Sequence, residues 1–105
     1  MTDPTNVSVA DLVAVLADDP EAPVVDVRTA AEFAGGRVPG SVNIPMHVLP
    51  LRVSELPTGR RIYLVCEVGG RSAQATAHLA RAGFVVSNVL GGMQAWIAAG
   101  NPVER

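Results

Sequence analysis

Cys66 is the only cysteine in a chain of 105 residues. The apolar run Ile62-Tyr63-Leu64-Val65 precedes it, and Glu67-Val68-Gly69-Gly70-Arg71-Ser72 follows. A strand that ends on a thiol, then a glycine-bearing loop, then a helix places a nucleophile where open α/β sheets bind ligands, beyond the carboxyl ends of their strands. Gly69 and Gly70 let the loop curl so that its backbone N–H groups point inward, and the free N–H groups of the following helix add positive potential. Both effects favour a thiolate and an anionic sulfur or oxygen held beside it. Arg71 adds a permanent charge at the loop's end. The plain alternative is a buried structural cysteine. That role suits a thiol in mid-strand better than one at a strand's end facing a Gly-Gly loop.

The elements that must position this loop are legible from pattern. Val24 to Val27, Ile62 to Val65 and Val85 to Val89 are short, rich in β-branched residues and mostly without polar alternation, as strands buried on both faces of a parallel sheet are. Val42-Asn43-Ile44 is a fourth, shorter strand candidate. Ser8 and Asp11 have capping-box spacing before the helical run Leu12 to Leu16, which Asp18-Asp19-Pro20 stops. Thr29 and Glu32 repeat the pattern before a short helix ending at Gly35-Gly36. Ser72 to Ala82 is an alanine-rich helix stopped by Gly83, and Gly92 to Ala99 a last helix closed by Gly100 and Pro102. Strands alternate with helices, so the expected class is α/β with helices on both faces of the sheet.

Composition narrows the function. Hydrophobic residues make up 49% and charged residues 17%, which describes a globular chain rather than a disordered one. The net charge of -2 leaves no basic footprint for nucleic acid. All 8 basic residues are arginine, which excludes a Schiff-base or P-loop lysine. One cysteine excludes an internal disulfide, a CxxC redox pair and a multi-cysteine metal site. Met1 to Asn6 is polar with no basic leader, and Leu12 to Ala17 is too short to span a bilayer, so no membrane association and a cytoplasmic location are expected. Residues 1–6 read as a disordered N-terminal tail, and 7–105 as a single domain.

The loop Cys66-x-x-Gly69-x-Arg71-Ser72 resembles the active-site loop of single-domain rhodaneses, which are sulfurtransferases. Two flanking blocks agree. Asp26-Val27-Arg28-Thr29 with Glu32-Phe33, Gly36-Arg37-Val38-Pro39-Gly40-Ser41 and Asn43-Ile44-Pro45 resembles the family's N-terminal block, and Gly91-Gly92-Met93-Gln94-Ala95-Trp96 its C-terminal block. The likeness extends from about Ser8 to Gly100. It implies the rhodanese-like three-layer fold, a five-stranded parallel sheet between helices, with the first strand at or near Ser8-Val9. It also implies ping-pong sulfur transfer without metal or organic cofactor. The Cys66 thiolate takes the sulfane sulfur of a small donor such as thiosulfate, or of a persulfide carried by a partner protein. Residues Glu67 to Ser72 form the substrate loop whose amides hold the resulting persulfide, and a thiol or cyanide then accepts the outer sulfur.

Two positions depart from the family pattern. Glu67 stands where thiosulfate-using members often carry arginine. It cancels Arg71 within the loop, which disfavours a dianionic donor and favours a persulfide or protein donor. Arg37 follows Gly36 where histidine is usual, with little expected consequence for the chemistry. Asp26 and Arg28, at a buried strand end, read as a structural ion pair supporting the loop. Glu32 reads as a helix cap, Trp96 as a core anchor, and Gly91-Gly92 as room for close packing at a helix start. His47 and His78 match no zinc spacing, so no metal site is expected.

Two competing readings remain. A phosphatase or arsenate reductase of the related cell-cycle phosphatase type places five residues between cysteine and arginine; here four intervene, and no second thiol is present. A non-catalytic rhodanese-like binding module need not keep Cys66, Gly69, Arg71 and Ser72, all of which this chain has.

Overall fold

The computed structural model describes residues 5–105. Strands β1 (Thr5–Val7), β2 (Val24–Asp26), β3 (Val42–Asn43), β4 (Ile62–Val65) and β5 (Val86–Val89) form one sheet in the order β1-β5-β4-β2-β3. Every neighbouring pair is parallel. Helices α1 (Val9–Asp18), α2 (Ala30–Ala34), α3 (Gly70–Arg81) and α4 (Gly92–Ala98) connect or follow the strands, and two 3-10 turns, Leu49–Leu51 and Val53–Glu55, lie between β3 and β4.

The strand sequences explain the layers. Side chains alternate across a sheet, so a strand without polar alternation needs cover on both sides. Ile62, Leu64 and Cys66 join Val25, Val27 and Val86 in a core closed by Ala75, Leu79 and Ala80 of α3, and by Leu49 and Leu56 at the 3-10 turns. Val24, Tyr63, Val65 and Val89 face the other way, onto Val9 and Leu12 of α1 and Met93 and Trp96 of α4. Cys66 therefore continues the inward-facing row of β4 by one residue, and it is 1% exposed.

Both expected capping boxes form. The Asp11 N–H donates to Ser8 Oγ at 3.0 Å and the Ser8 N–H to Asp11 Oδ2 at 2.9 Å. Thr29 and Glu32 do the same at the start of α2. The short strands and α4 lie within a residue of expectation, while α3 begins at Gly70, two residues early.

The N-terminal expectation needs correcting. Thr5 and Asn6 are not part of a tail; with Val7 they form β1, paired to Ser87, Asn88 and Val89. The first strand, expected at or near Ser8-Val9, ends next to it at Val7, and Ser8 and Val9 are the cap and first residue of α1. Parallel pairing uses backbone groups, so an edge strand with outward polar side chains carries no apolar run to betray it. Residues 1–4 of the expected tail lie outside the described residues. The domain thus extends back at least to Thr5.

Two long-range contacts set the ground for the site. Glu32 of α2 receives two hydrogen bonds from the Arg71 guanidinium of α3, at 2.7 and 2.9 Å. These bonds, with the Thr29 N–H, hold the Glu32 carboxyl down to about 2. Gly92 meets the backbone of the loop after β4: an added Cβ would lie 2.3 Å from the Cys66 carbonyl oxygen and 2.8 Å from Glu67 C and O, at a φ of +53°. Only glycine fits there.

These contacts generate two predictions. Gly92→Ala should destabilise the fold by about 2–4 kcal/mol, since it combines backbone strain with a clash against rigid backbone. Urea denaturation measures this, and a wild-type midpoint would refute the close approach. The second concerns acid. A carboxylate with a depressed folded-state pKa stabilises the fold above its unfolded value, about 4.3, and that stability is lost as pH falls through the folded value. Glu32 should therefore contribute above about pH 4.5 and lose its contribution toward pH 2. Glu32→Gln should remove that part of the acid dependence. For so exposed a pair the loss is about 0.5–1 kcal/mol, read from denaturation midpoints at pH 7 and pH 3.

Candidate functional site

The loop after β4 turns the chain from strand to helix within four residues, Cys66 to Gly69. Gly69 caps α3 at φ 109°, a left-handed conformation that brings its own N–H back onto the sulfur, with Gly69 N to Cys66 Sγ at 2.9 Å. Ser72, in the first turn of α3, places its hydroxyl 3.3 Å from the same sulfur. Burial pushes the thiol pKa up. Hydrogen bonds from the Ser72 side chain and from the backbone N–H groups of Ser72, Gly69 and Val68 outweigh it, so the net shift is downward.

The other side of the loop is fastened by α4. The Met93 N–H donates to the Cys66 carbonyl at 2.8 Å and the Gln94 N–H to the Glu67 carbonyl at 3.0 Å. The free amides of one helix start thus hold the loop's carbonyls while those of another face its sulfur. Gly91-Gly92 serve this packing, in keeping with their expected role.

The charged side chains form two groups. Asp26 and Arg28 are both buried, and Arg28 makes three hydrogen bonds to the Asp26 carboxylate at 2.8–3.0 Å. Its Nη2 also donates to the Gly36 carbonyl at 2.7 Å, and its Nη1 reaches Glu67 Oε1 at 3.4 Å. The second group is Glu32 with Arg71. The expectation that Glu67 offsets Arg71 needs correction: Glu67 pairs with Arg28, and Arg71 pairs with Glu32. Arg71 is accordingly not a free cation at the loop's end, and Glu32 is both a helix cap and an ion-pair partner. The Asp26, Glu67 and Glu32 carboxylates thus occupy the guanidiniums of Arg28 and Arg71.

The remaining sequence candidates fall as follows. Val68 is exposed at the outer tip of the loop, Gly70 opens α3, and Ser72 is fully buried. Trp96 is a core residue whose Nε1–H donates to the Pro102 carbonyl. Arg37 stacks over Phe33 and pairs with Glu104. His47 and His78 are exposed and make no contact with the sulfur's hydrogen-bond partners. A groove of about 370 Å³ runs beside Glu67, between Arg28, Gly36, Ile97 and Arg105.

Two further residues at the site were given no role by the sequence, although Asn43 stands in the family-like N-terminal block. Asn43 Nδ2 donates to the Asp26 and Arg28 carbonyls at 3.0 and 2.9 Å and so fixes the turn after β2. Asn88, buried in β5, lies 2.5 Å from Ser72 Oγ. The signal for Asn88 was an amide, next to Ser87, inside a valine-rich strand run, where a polar group needs a partner.

The chain matches the family model described as a rhodanese-like domain over residues 8–99. A sulfurtransferase of Allochromatium vinosum is 43% identical over 89 residues, covering 84% of this chain and 83% of that protein. The putative sulfurtransferase YtwF of Bacillus subtilis is 34% identical over 90 residues, 86% of this chain and 87% of its own. The crystal structure of a rhodanese-related protein from Thermoplasma volcanium superposes with a TM-score of 0.89 at 32% identity, covering 95% of this chain and 97% of that one. With the sheet order, the cysteine loop and these likenesses in agreement, the chain belongs to the rhodanese-like domain family.

Proposed function

We propose that this protein is a sulfurtransferase in which Cys66 carries the transferred sulfur as a persulfide. The observation that carries the reading is the position of Cys66 Sγ, 2.9 Å from the Gly69 N–H at the start of α3, with further amides of that turn lowering its pKa. In the first half-reaction the thiolate attacks the outer sulfur of the donor. A new S–S bond forms, the donor's bond to that sulfur breaks, and the leaving group departs with the electron pair, as sulfite if the donor is thiosulfate. In the second, an acceptor thiolate or cyanide attacks the outer sulfur and Cys66 leaves as the thiolate, ready for another cycle. The Gly69, Val68 and Ser72 amides support the negative charge at both stages without moving. Neither half-reaction calls for a metal or organic cofactor.

The charge arrangement favours a low-molecular-weight or protein-borne persulfide over thiosulfate. Both nearby guanidiniums are engaged with carboxylates, and Glu67 stands half-exposed next to the nucleophile. A dianion approaching this mouth is opposed by the Glu67 carboxylate more strongly than a persulfide monoanion is. A lone thiol acting through persulfides fits a reducing compartment, where acceptor thiols are free, and hence the cytoplasm. Among the described residues no helix is long and apolar enough to cross a membrane.

Two measurements test the reading. Cys66→Ser should abolish transfer from thiosulfate or glutathione persulfide to cyanide while leaving the melting temperature within a degree or two, because the hydroxyl is of similar size but cannot store a sulfane sulfur. Retained turnover would remove Cys66 from the mechanism; hydrolysis of p-nitrophenyl phosphate by the wild type would favour the phosphatase reading instead. Glu67→Arg should raise kcat/KM for thiosulfate by about tenfold at low salt, corresponding to only about 1.4 kcal/mol. It replaces a carboxylate with a cation and releases one contact of Arg28. The gain should shrink as salt rises. An unchanged kcat/KM at low salt would show that Glu67 does not set donor preference.

A further inference from the structure

Ser72 Oγ is buried and has three acceptors around it: Asn88 Oδ1 at 2.5 Å, Cys66 Sγ at 3.3 Å and the Gly69 carbonyl at 3.3 Å. A hydroxyl has one proton, so it can serve only one of them at a time. Asn88 is 3% exposed, and its Nδ2 lies 3.3 Å from Asn6 Oδ1 on the edge strand β1. The four side chains thus form a continuous hydrogen-bonded chain, Asn6–Asn88–Ser72–Cys66, across two strands and into the first turn of α3.

Such a chain has two polarities, because an amide turned by half a revolution exchanges its nitrogen and oxygen at nearly the same positions. In the first, Asn88 donates to Asn6 and Ser72 donates to Asn88. The lone pairs of Ser72 then face the sulfur, an arrangement suited to a protonated thiol that donates its S–H. In the second, Asn6 donates to Asn88, Asn88 Nδ2 donates to Ser72, and the Ser72 proton is left for an anionic sulfur. No proton enters or leaves the chain in the change; only donors and acceptors exchange. Asn6 is exposed, so its amide can turn in solvent to match either state.

We propose that Asn88 is a positioning residue that sets the direction of the Ser72 hydroxyl, aiming it at Cys66 when the sulfur is anionic and away from it when the sulfur is protonated. This rests on the reading of Cys66 as the nucleophile and adds to it a control on the nucleophile's charge from β5. The Gly69 amide can donate only toward the sulfur, so it supplies a fixed contribution, while the Ser72 hydroxyl supplies the adjustable one. The charged neighbours do not join the chain: Asp26, Arg28 and Glu67 bind one another, as do Glu32 and Arg71, and none hydrogen-bonds to Cys66, Ser72, Asn88 or Asn6. β1, β5 and α4 bear no charged side chain of their own; Arg61, just before β4, reaches Thr5 Oγ1, Ser87 Oγ and the Val86 carbonyl, and Arg71 acts on Cys66 through charge alone.

The test is a double-substitution cycle read by the pH dependence of iodoacetamide alkylation of Cys66. Asn88→Asp presents two acceptors and no donor at neutral pH, and so captures the Ser72 proton. It should raise the apparent pKa of Cys66 by about one unit, a tenfold lower thiolate fraction below the pKa. In the Ser72→Ala background there is no hydroxyl to redirect, and the same substitution should raise the pKa by less than half as much, through charge alone. An increment more than half as large without Ser72, or none with it, overturns the proposal. Should Asn88→Asp fail to fold, as judged by circular dichroism, Asn88→Ala serves: it removes the directing donor, and its smaller upward shift should vanish in the Ser72→Ala background and overturns the proposal if it persists. Alkylation reports acidity whether or not sulfur is transferred. Coupling found in an enzyme that moves no sulfur would refute the proposed function alone; transfer without coupling would refute only the role of Asn88.

Discussion

Two backbone bonds from α4 to the carbonyls of Cys66 and Glu67 are the constraint on which the site depends. The chain leaves β4 with its next side chain still facing the core, yet it must turn into α3 within four residues. A turn that tight leaves carbonyls with no strand partner, and a buried carbonyl without a donor costs about 1–3 kcal/mol. The start of α4 supplies the donors at 2.8 and 3.0 Å, and Gly92 lets it come near enough to do so. With the outer side of the turn fixed, its amides are free to converge on the sulfur. The fold thus orients Cys66 through backbone, which has few alternative conformations, rather than through long side chains, which have many.

The side chains around this frame limit charge rather than supply it. Arg28 and Arg71 would each make a strong anion receptor if unpaired. Each is instead occupied by a carboxylate from another element, which ties β2 to the loop and α2 to α3. The groups that face the Cys66 sulfur are instead amide dipoles and one hydroxyl, none of which carries a net charge. Glu67 and the exposed Val68 lie on the outer rim, where the proposed function puts donor selection.

The apolar strands, the cysteine loop and both capping boxes were legible because each depends on neighbours in sequence. Ser8 reaches Asp11, Thr29 reaches Glu32, and Ile62 to Val65 needs only its own apolar run. The partners of Glu67 and Arg71 were not. Arg28 lies 39 positions from Glu67, as Glu32 does from Arg71, and composition within the loop wrongly coupled the two loop residues to each other. β1 escaped notice because Thr5 and Asn6 contribute hydrogen-bonding backbone and no apolar pattern. Asn88 was visible as an anomaly in a strand, but its partner Ser72 became evident only once β5 lay beside β4 and under α3.

The position of β1 at the sheet's margin has a practical side. A boundary drawn at residue 7, as a polar N-terminus invites, would strip Thr5 and Asn6 from β5. The apolar, β-branched stretch Val85-Val86-Ser87-Asn88-Val89 would then present unpaired amides and carbonyls along one margin, the template on which strands from other molecules add. Shortening the chain by a few polar residues would thus convert a protected interior strand into a nucleus for self-association, and the resulting insolubility would be mistaken for poor intrinsic stability.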